Sequence, residues 1–283
     1  MSNLQQDQPK IYFHVGLPKT ASTFLQKKVF PALQGLHYIK KHDFKNRDSI
    51  IDKTQAKIFL LSVEMKFDFA PDIRQIKDVA SKYPDTTPII FLRKHSSWLG
   101  SKYKYYIRKH GGGKFDYFFD FENNNGLFKH ENLSFYSKIQ KLEEIFNDTP
   151  IVFFQEELKN APYEVIDQLA SVLGVSYNKN DINISNVKTS YSNKQLKILR
   201  KFNRRYVFNK QKVKPGFRRF AYKKFSGLLL HSVAFLALLI PDAFMDNKPL
   251  IPKDVLEKVN GYYNQDWNKC VNYALKRREK VYL

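Results

Sequence analysis

The stretch Lys10-Ile-Tyr-Phe-His-Val-Gly-Leu-Pro-Lys-Thr-Ala-Ser-Thr-Phe-Leu-Gln26 decides how the chain is read. It predicts a short apolar strand that breaks at Gly16 and resumes as a helix near Ser22. A strand, a tight turn and a helix N-terminus in succession present backbone N–H groups and the positive end of the helix to an anion. Thr20, Ser22 and Thr23 add hydroxyls, and Lys19 adds a full charge. The turn is not a Walker loop, which needs a glycine immediately before its Lys-Ser/Thr pair; Pro18 stands there instead. The plain alternative is an ordinary strand-to-helix turn with Ser22 as its cap.

Working outward, three further apolar runs have strand length: Ile58 to Val63, Pro88 to Leu92 and Ile151 to Phe154. Each is continuous rather than alternating, which is the pattern of strands buried on both faces. Between and after them, Pro71 to Tyr83, Asn132 to Phe146 and Pro162 to Leu173 carry apolar residues at helical spacing. Strand alternating with helix predicts an α/β fold with a parallel sheet covered on both sides. The Gly111-Gly-Gly113 and Asn123-Asn-Asn-Gly126 stretches predict an irregular excursion between the strand Pro88 to Leu92 and the helix Asn132 to Phe146. Beyond Asn180 the strand signals stop and helices take over, ending with Pro252 to Arg278. The expectation is one domain over 1–283, with an α/β core over 10–180 and a helical subregion over 181–283.

The run Ile89-Ile-Phe-Leu-Arg93 places a guanidinium at the carboxyl tip of its strand, on the same side of the sheet as the first turn. Ser101 follows eight residues later, about two turns into the next helix. A metal-dependent phosphotransferase would place a carboxylate at such a tip to hold Mg²⁺. Arginine there points to bidentate recognition of a second phosphate.

Both motifs together resemble the 3′-phosphoadenylyl-sulfate (PAPS) dependent sulfotransferases, in particular the bacterial carbohydrate-type members. Their 5′-phosphosulfate loop has the form Pro-Lys-(Ser/Thr)-(Gly/Ala)-(Ser/Thr)-Thr after the first strand, and Pro18-Lys-Thr-Ala-Ser-Thr23 fits it. Arg93 and Ser101 match the spacing of their 3′-phosphate motif. Phe153-Phe-Gln-Glu-Glu-Leu158, Val187-Lys-Thr-Ser190 and Tyr262-Tyr-Asn-Gln-Asp266 are weaker echoes, and Lys214-Pro-Gly-Phe-Arg-Arg219 stands where a basic cofactor loop would be.

The resemblance implies a three-layer, P-loop-kinase-like sheet and sulfonate transfer from PAPS, without metal, to an acceptor hydroxyl on a saccharide or glycolipid. It assigns the cofactor to Lys19, Thr20, Ala21, Ser22, Thr23, Phe24, Arg93 and Ser101, with Phe24 packing on adenine or, equally, serving the core. Lys19 would meet the charge that grows on the leaving oxygen. The base is read as Glu64, at the end of Leu61-Ser-Val-Glu64, with His14 and His95 as rivals. Two other classes stand beside this reading. One is a kinase using ATP and Mg²⁺ with Glu64 on the metal, and the other is a basic RNA- or membrane-binding protein on the same scaffold.

The net charge is +21, and its distribution is lopsided. From Ile182 to Pro241 there are fourteen Lys and Arg and no Asp or Glu. Such a field suits an anionic substrate, a nucleotide or an anionic membrane surface, or is simply a solvated basic face. A single cysteine, Cys270, excludes an internal disulfide framework, and the polar start Met1 to Pro9 lacks the apolar core of a signal peptide. The expected location is cytoplasmic, or peripheral on the inner face of the membrane.

Within the basic region runs Gly227-Leu-Leu-Leu-His-Ser-Val-Ala-Phe-Leu-Ala-Leu-Leu-Ile240. It is shorter than the roughly 20 apolar residues that span a bilayer. The favoured reading is a buried core helix; the other is an interfacial segment, making peripheral membrane contact through 214–241.

Overall fold

The structure, a computed structural model, describes residues 8–65, 72–184, 191–206 and 216–282. Val187 to Ser190, Lys214 with Pro215, and Pro71 lie outside the described residues. So do the basic residues Lys188, Lys210 and Lys212. The chain's contacts group it into two compact units, Met1–Lys94 with Glu131–Val187 and Tyr263–Leu283, and His95–His130 with Lys188–Tyr262.

The first unit is built on a five-stranded sheet. Its strands are β1 (Lys10–Gly16), β2 (His37–Ile39), β3 (Ile58–Glu64), β4 (Thr87–Leu92) and β5 (Ile151–Phe154), in the order β2-β3-β1-β4-β5. Every pairing is parallel. The apolar runs behave as their continuity requires, since every residue of β4 and β5 is buried. β2 was not legible: His-Tyr-Ile is three residues long and lies at the sheet edge. A separate antiparallel pair, Leu33–Gln34 with Ser176–Tyr177, is equally short.

Helices cover the sheet, as expected for the three-layer α/β class. Ile73–Lys82 buries Ile76 and Val79, and Phe135–Phe146 buries Ile139, Leu142 and Phe146. Pro162–Leu173 begins on proline, whose missing N–H costs nothing at a helix start, and ends at Gly174 with φ 67°. There the Gly174 N–H closes onto the last carbonyls, the left-handed stop that glycine adopts without strain. One core cluster joins Leu25, Val29 and Phe30 to Phe91 and Phe153 of the sheet and to Ile166 and Leu169 of that helix.

The closing helix Asn264–Tyr282 groups with this unit rather than with the helices that precede it. Its Asp266 carboxylate accepts hydrogen bonds from the backbone N–H groups of Phe135 (3.0 Å) and Tyr136 (3.2 Å), capping a helix far away in sequence. Trp267 packs edge-on against Phe154 at the end of β5.

The second unit is helical, with His95–Arg108, Asn193–Arg205, Phe217–Leu236 and Lys253–Tyr262 as its main elements. Trp98, Tyr103, Phe115, Phe118 and Phe128 form its aromatic centre. Asn193–Arg205 starts on a complete capping box, Ser192 with Gln195. The glycine run supplies close approach: a Cβ on Gly112 would lie 2.6 Å from the backbone nitrogen of Arg204.

The expectation that Gly227 to Ile240 is a core helix is not met. The helix exists, and it starts ten residues earlier, at Phe217. Among the described side chains its buried residues are the narrow row Ser226, Leu230 and Ala234, continued by Ala237, while Leu228, Phe235 and Leu236 are exposed. Hydropathy alone reports how apolar a run is and not which way its large side chains face.

Candidate functional site

β1 ends at Gly16, whose backbone is paired in register with Glu64 at the end of β3. A Cβ on Gly16 would stand 2.9 Å from Ser22 Oγ and 3.0 Å from His14 Cε1, so the close turn requires glycine here. The chain then reverses through Lys19 (φ 70°) and Ala21 (φ 68°), two non-glycine residues in the left-handed region. Held strain of this kind concentrates at ligand-binding turns.

The turn is braced from within. Thr20 Oγ1 donates to the Leu17 carbonyl at 2.7 Å and Ser22 Oγ donates to the same oxygen at 3.0 Å, both side chains being buried. Of the three hydroxyls expected to meet an anion, two therefore fasten the loop, and Thr23 is the exposed one. Helical structure runs on from Ser22 through a π-turn, Leu25–Val29, into Phe30–Ala32. The N–H groups of Phe24 and Leu25 close on the Ala21 carbonyl at 2.8 and 3.1 Å, so those of Ser22 and Thr23 lie at the very start of the run. Phe24 is half-buried and leans on the core cluster.

Beneath the turn lies a small polar network. His14 Nδ1 shares a hydrogen bond with Ser62 Oγ at 2.7 Å, and Gln26 Nε2 donates to that same hydroxyl at 2.9 Å. The His14 ring is wholly buried between Phe30 and Phe91, and burial pushes its pKa down to about 3. It is a neutral core histidine, sealed from any acceptor. His95 begins the helix His95–Arg108 of the second unit and is buried. Glu64 stands part-exposed at the strand tip beside the turn, where its register with Gly16 puts it.

From the tip of β4, Arg93 donates from Nη1 to the carbonyl oxygen of Lys19 at 3.3 Å. Two motifs 74 residues apart thus meet in one place. Arg93 is half-buried; desolvation pulls its pKa down, opposed by the Glu156 carboxylate. Glu156 also accepts the backbone N–H of Lys94 at 3.0 Å. This acid had no role in the sequence reading. Leu92 pairs with Phe154 in the β4–β5 register, so the residues just past both strands are neighbours, which a strand alignment could have shown. Ser101 lies within His95–Arg108, in the second unit, and its assignment rests on its spacing from Arg93.

The second unit holds a cavity of about 600 Å³ lined by Tyr106, Tyr117, His110, Lys114, Asp116 and Arg204, among others. Flat aromatic faces beside mixed charges and donors suit a hydroxylated or anionic ring.

No protein-family model and no curated protein sequence matches the chain. Among solved structures it is similar to a sulfotransferase from Alicyclobacillus acidocaldarius, with 16% identity and a TM-score of 0.49 over 64% of this chain and 86% of that one. It is also similar to mouse sulfotransferase SULT7A1 complexed with PAP, with 12% identity and a TM-score of 0.36 over 80% and 89%. Both neighbours are sulfotransferases.

Proposed function

We propose that the protein transfers the sulfonate group of PAPS to an acceptor hydroxyl on a saccharide or glycolipid. The observation that carries this is the Arg93 to Lys19 hydrogen bond, which brings a phosphate-type turn and a second phosphate-binding cation to one place. The chain's residues fit such a donor. The turn offers its backbone N–H groups and Thr23 to the 5′-phosphate, and Arg93, whose charge the Glu156 carboxylate favours, offers its guanidinium to the 3′-phosphate.

In the transfer the bond from sulfur to the bridging oxygen breaks while the acceptor oxygen bonds to sulfur. Lys19 puts an ammonium against the negative charge that develops on the departing oxygen. Glu64 takes the acceptor's proton. The protein acts in the cytoplasm in this reading.

The test is transfer of radiolabelled sulfonate from PAPS to a panel of saccharides and glycolipids, with simple phenols as controls. Label on carbohydrate hydroxyls is expected. Label on phenols alone would overturn the acceptor class, and no label on any acceptor, together with no nucleotide binding, would overturn the reaction.

A further inference from the structure

The helix Phe217–Leu236 and the turn Ala237–Leu239 after it are packed inside out. The row that faces the protein is small, with Ser226, Ala234 and Ala237 buried alongside Leu230. The large residues face away: Phe225, Leu228, Phe235, Leu236, Leu238 and Leu239 are each between 53% and 72% exposed. A helix of a water-soluble protein turns its bulky apolar residues toward the core, and a contiguous apolar face left outside marks a surface that meets something. The window Phe220–Leu239 is 20 residues long, with only 24% of it buried.

The charge around it identifies what that is. No Asp or Glu occurs from Ile182 to Pro241, and Lys201, Arg204, Arg205, Arg218 and Lys224 are exposed on the same two helices of this unit. Leu and Phe set among cations match the acyl boundary and phosphate layer of an anionic membrane. RNA would gain nothing from the leucines.

We infer that this helix docks the protein onto an anionic lipid bilayer, lying in the plane of the interface rather than crossing it. Its attachment to Asn193–Arg205 sets the orientation. Gln195 Nε2 donates to the Ala234 carbonyl at 3.0 Å, the Tyr191 hydroxyl is hydrogen-bonded to the His231 ring, and the small buried row packs along the neighbouring helix. A span would have to tear all of these open. Docking in plane keeps them and covers the exposed face.

The test does not depend on the proposed chemistry. The full chain is spun with vesicles of phosphatidylcholine alone and of phosphatidylcholine with phosphatidylglycerol, at low and high salt. Light scattering without lipid runs beside it. The expected result is a monomer that pellets with anionic vesicles and binds about 10-fold or more weakly at high salt, as screening predicts. Leu238→Ser with Leu239→Ser should weaken binding by about 10-fold or more while the thermal melt stays near wild type, since both side chains already face water. Protein left in the supernatant with anionic vesicles at low salt overturns the inference. So does a lipid-indifferent dimer that the two substitutions dissociate, or retention on RNA that they do not change while vesicles are ignored.

Discussion

Arg93 at the end of β4 donates a hydrogen bond to the main-chain carbonyl of Lys19 inside the first turn. The bond fixes the guanidinium beside a loop whose own shape is strained at Lys19 and Ala21. The carbonyl fixes one edge of the planar fork, and the Glu156 carboxylate nearby favours its charged form. Arg93→Lys keeps the charge and loses that geometry. It should weaken 3′-phosphoadenosine 5′-phosphate by about 10-fold or more and leave AMP within about twofold. Calorimetric titration of both nucleotides reads this, and equal losses for the two would remove Arg93 from the 3′-phosphate.

Lys19→Ala should lower sulfonate transfer by about two orders of magnitude or more, the usual loss when a charge-stabilising donor is taken from a transition state. Product-nucleotide affinity should fall far less, because the backbone N–H groups and Arg93 remain. A steady-state assay beside the titration separates the effects. Turnover near wild type would leave the leaving oxygen to another group.

Much of this site was legible because its parts are local. Gly16, Lys19 and Ser22 lie within one strand, turn and helix, and Arg93 ends an apolar run whose continuity marks a buried parallel strand. What was not legible depends on side-by-side placement. Glu156 matters because β5 lies next to β4, and β2 exists only because β3 offers an edge to His-Tyr-Ile. The Thr20 and Ser22 hydroxyls look like free donors in sequence and in fact close the loop on Leu17. The outward face of Phe217–Leu236 was hidden for a similar reason: which stripe of an apolar helix is buried depends on its neighbour, here the helix opened by Ser192.

His14 makes stability depend on pH in a stated direction. Its folded pKa, about 3, lies below the usual 6.5, so the unfolded chain binds the extra proton between those values. Stability from this group is complete above about pH 6.5 and is lost as pH falls toward 3, at no more than about 1.4 kcal/mol per pH unit. Denaturant midpoints from pH 7 down to pH 4.5 should therefore fall more steeply for the wild type than for His14→Phe. Parallel slopes would mean that His14 is protonated in the folded state.

Asp266 provides a structural check that is independent of catalysis. Asp266→Ala removes the acceptor of two N–H groups at the start of Phe135–Phe146 and should cost about 1–2 kcal/mol in urea unfolding. Asp266→Asn, which keeps one acceptor oxygen, should recover part of it. No change for the alanine variant would show that water satisfies those N–H groups equally well.

The central claim, that the first turn and Arg93 form one site for a 3′,5′-bisphosphate nucleotide, is tested most directly by thermal shift of the wild-type protein. Three ligands are compared at matched concentration in chelator, 3′-phosphoadenosine 5′-phosphate, AMP and ATP, and ATP is run again with Mg²⁺ and no chelator. A ligand that binds the native state at about 100 times its Kd adds about 2.7 kcal/mol, enough to raise Tm by several degrees. The account predicts that rise for 3′-phosphoadenosine 5′-phosphate without metal, and little for AMP or for ATP in either form. Equal shifts for the bisphosphate and AMP, or a shift confined to ATP with Mg²⁺, would contradict it.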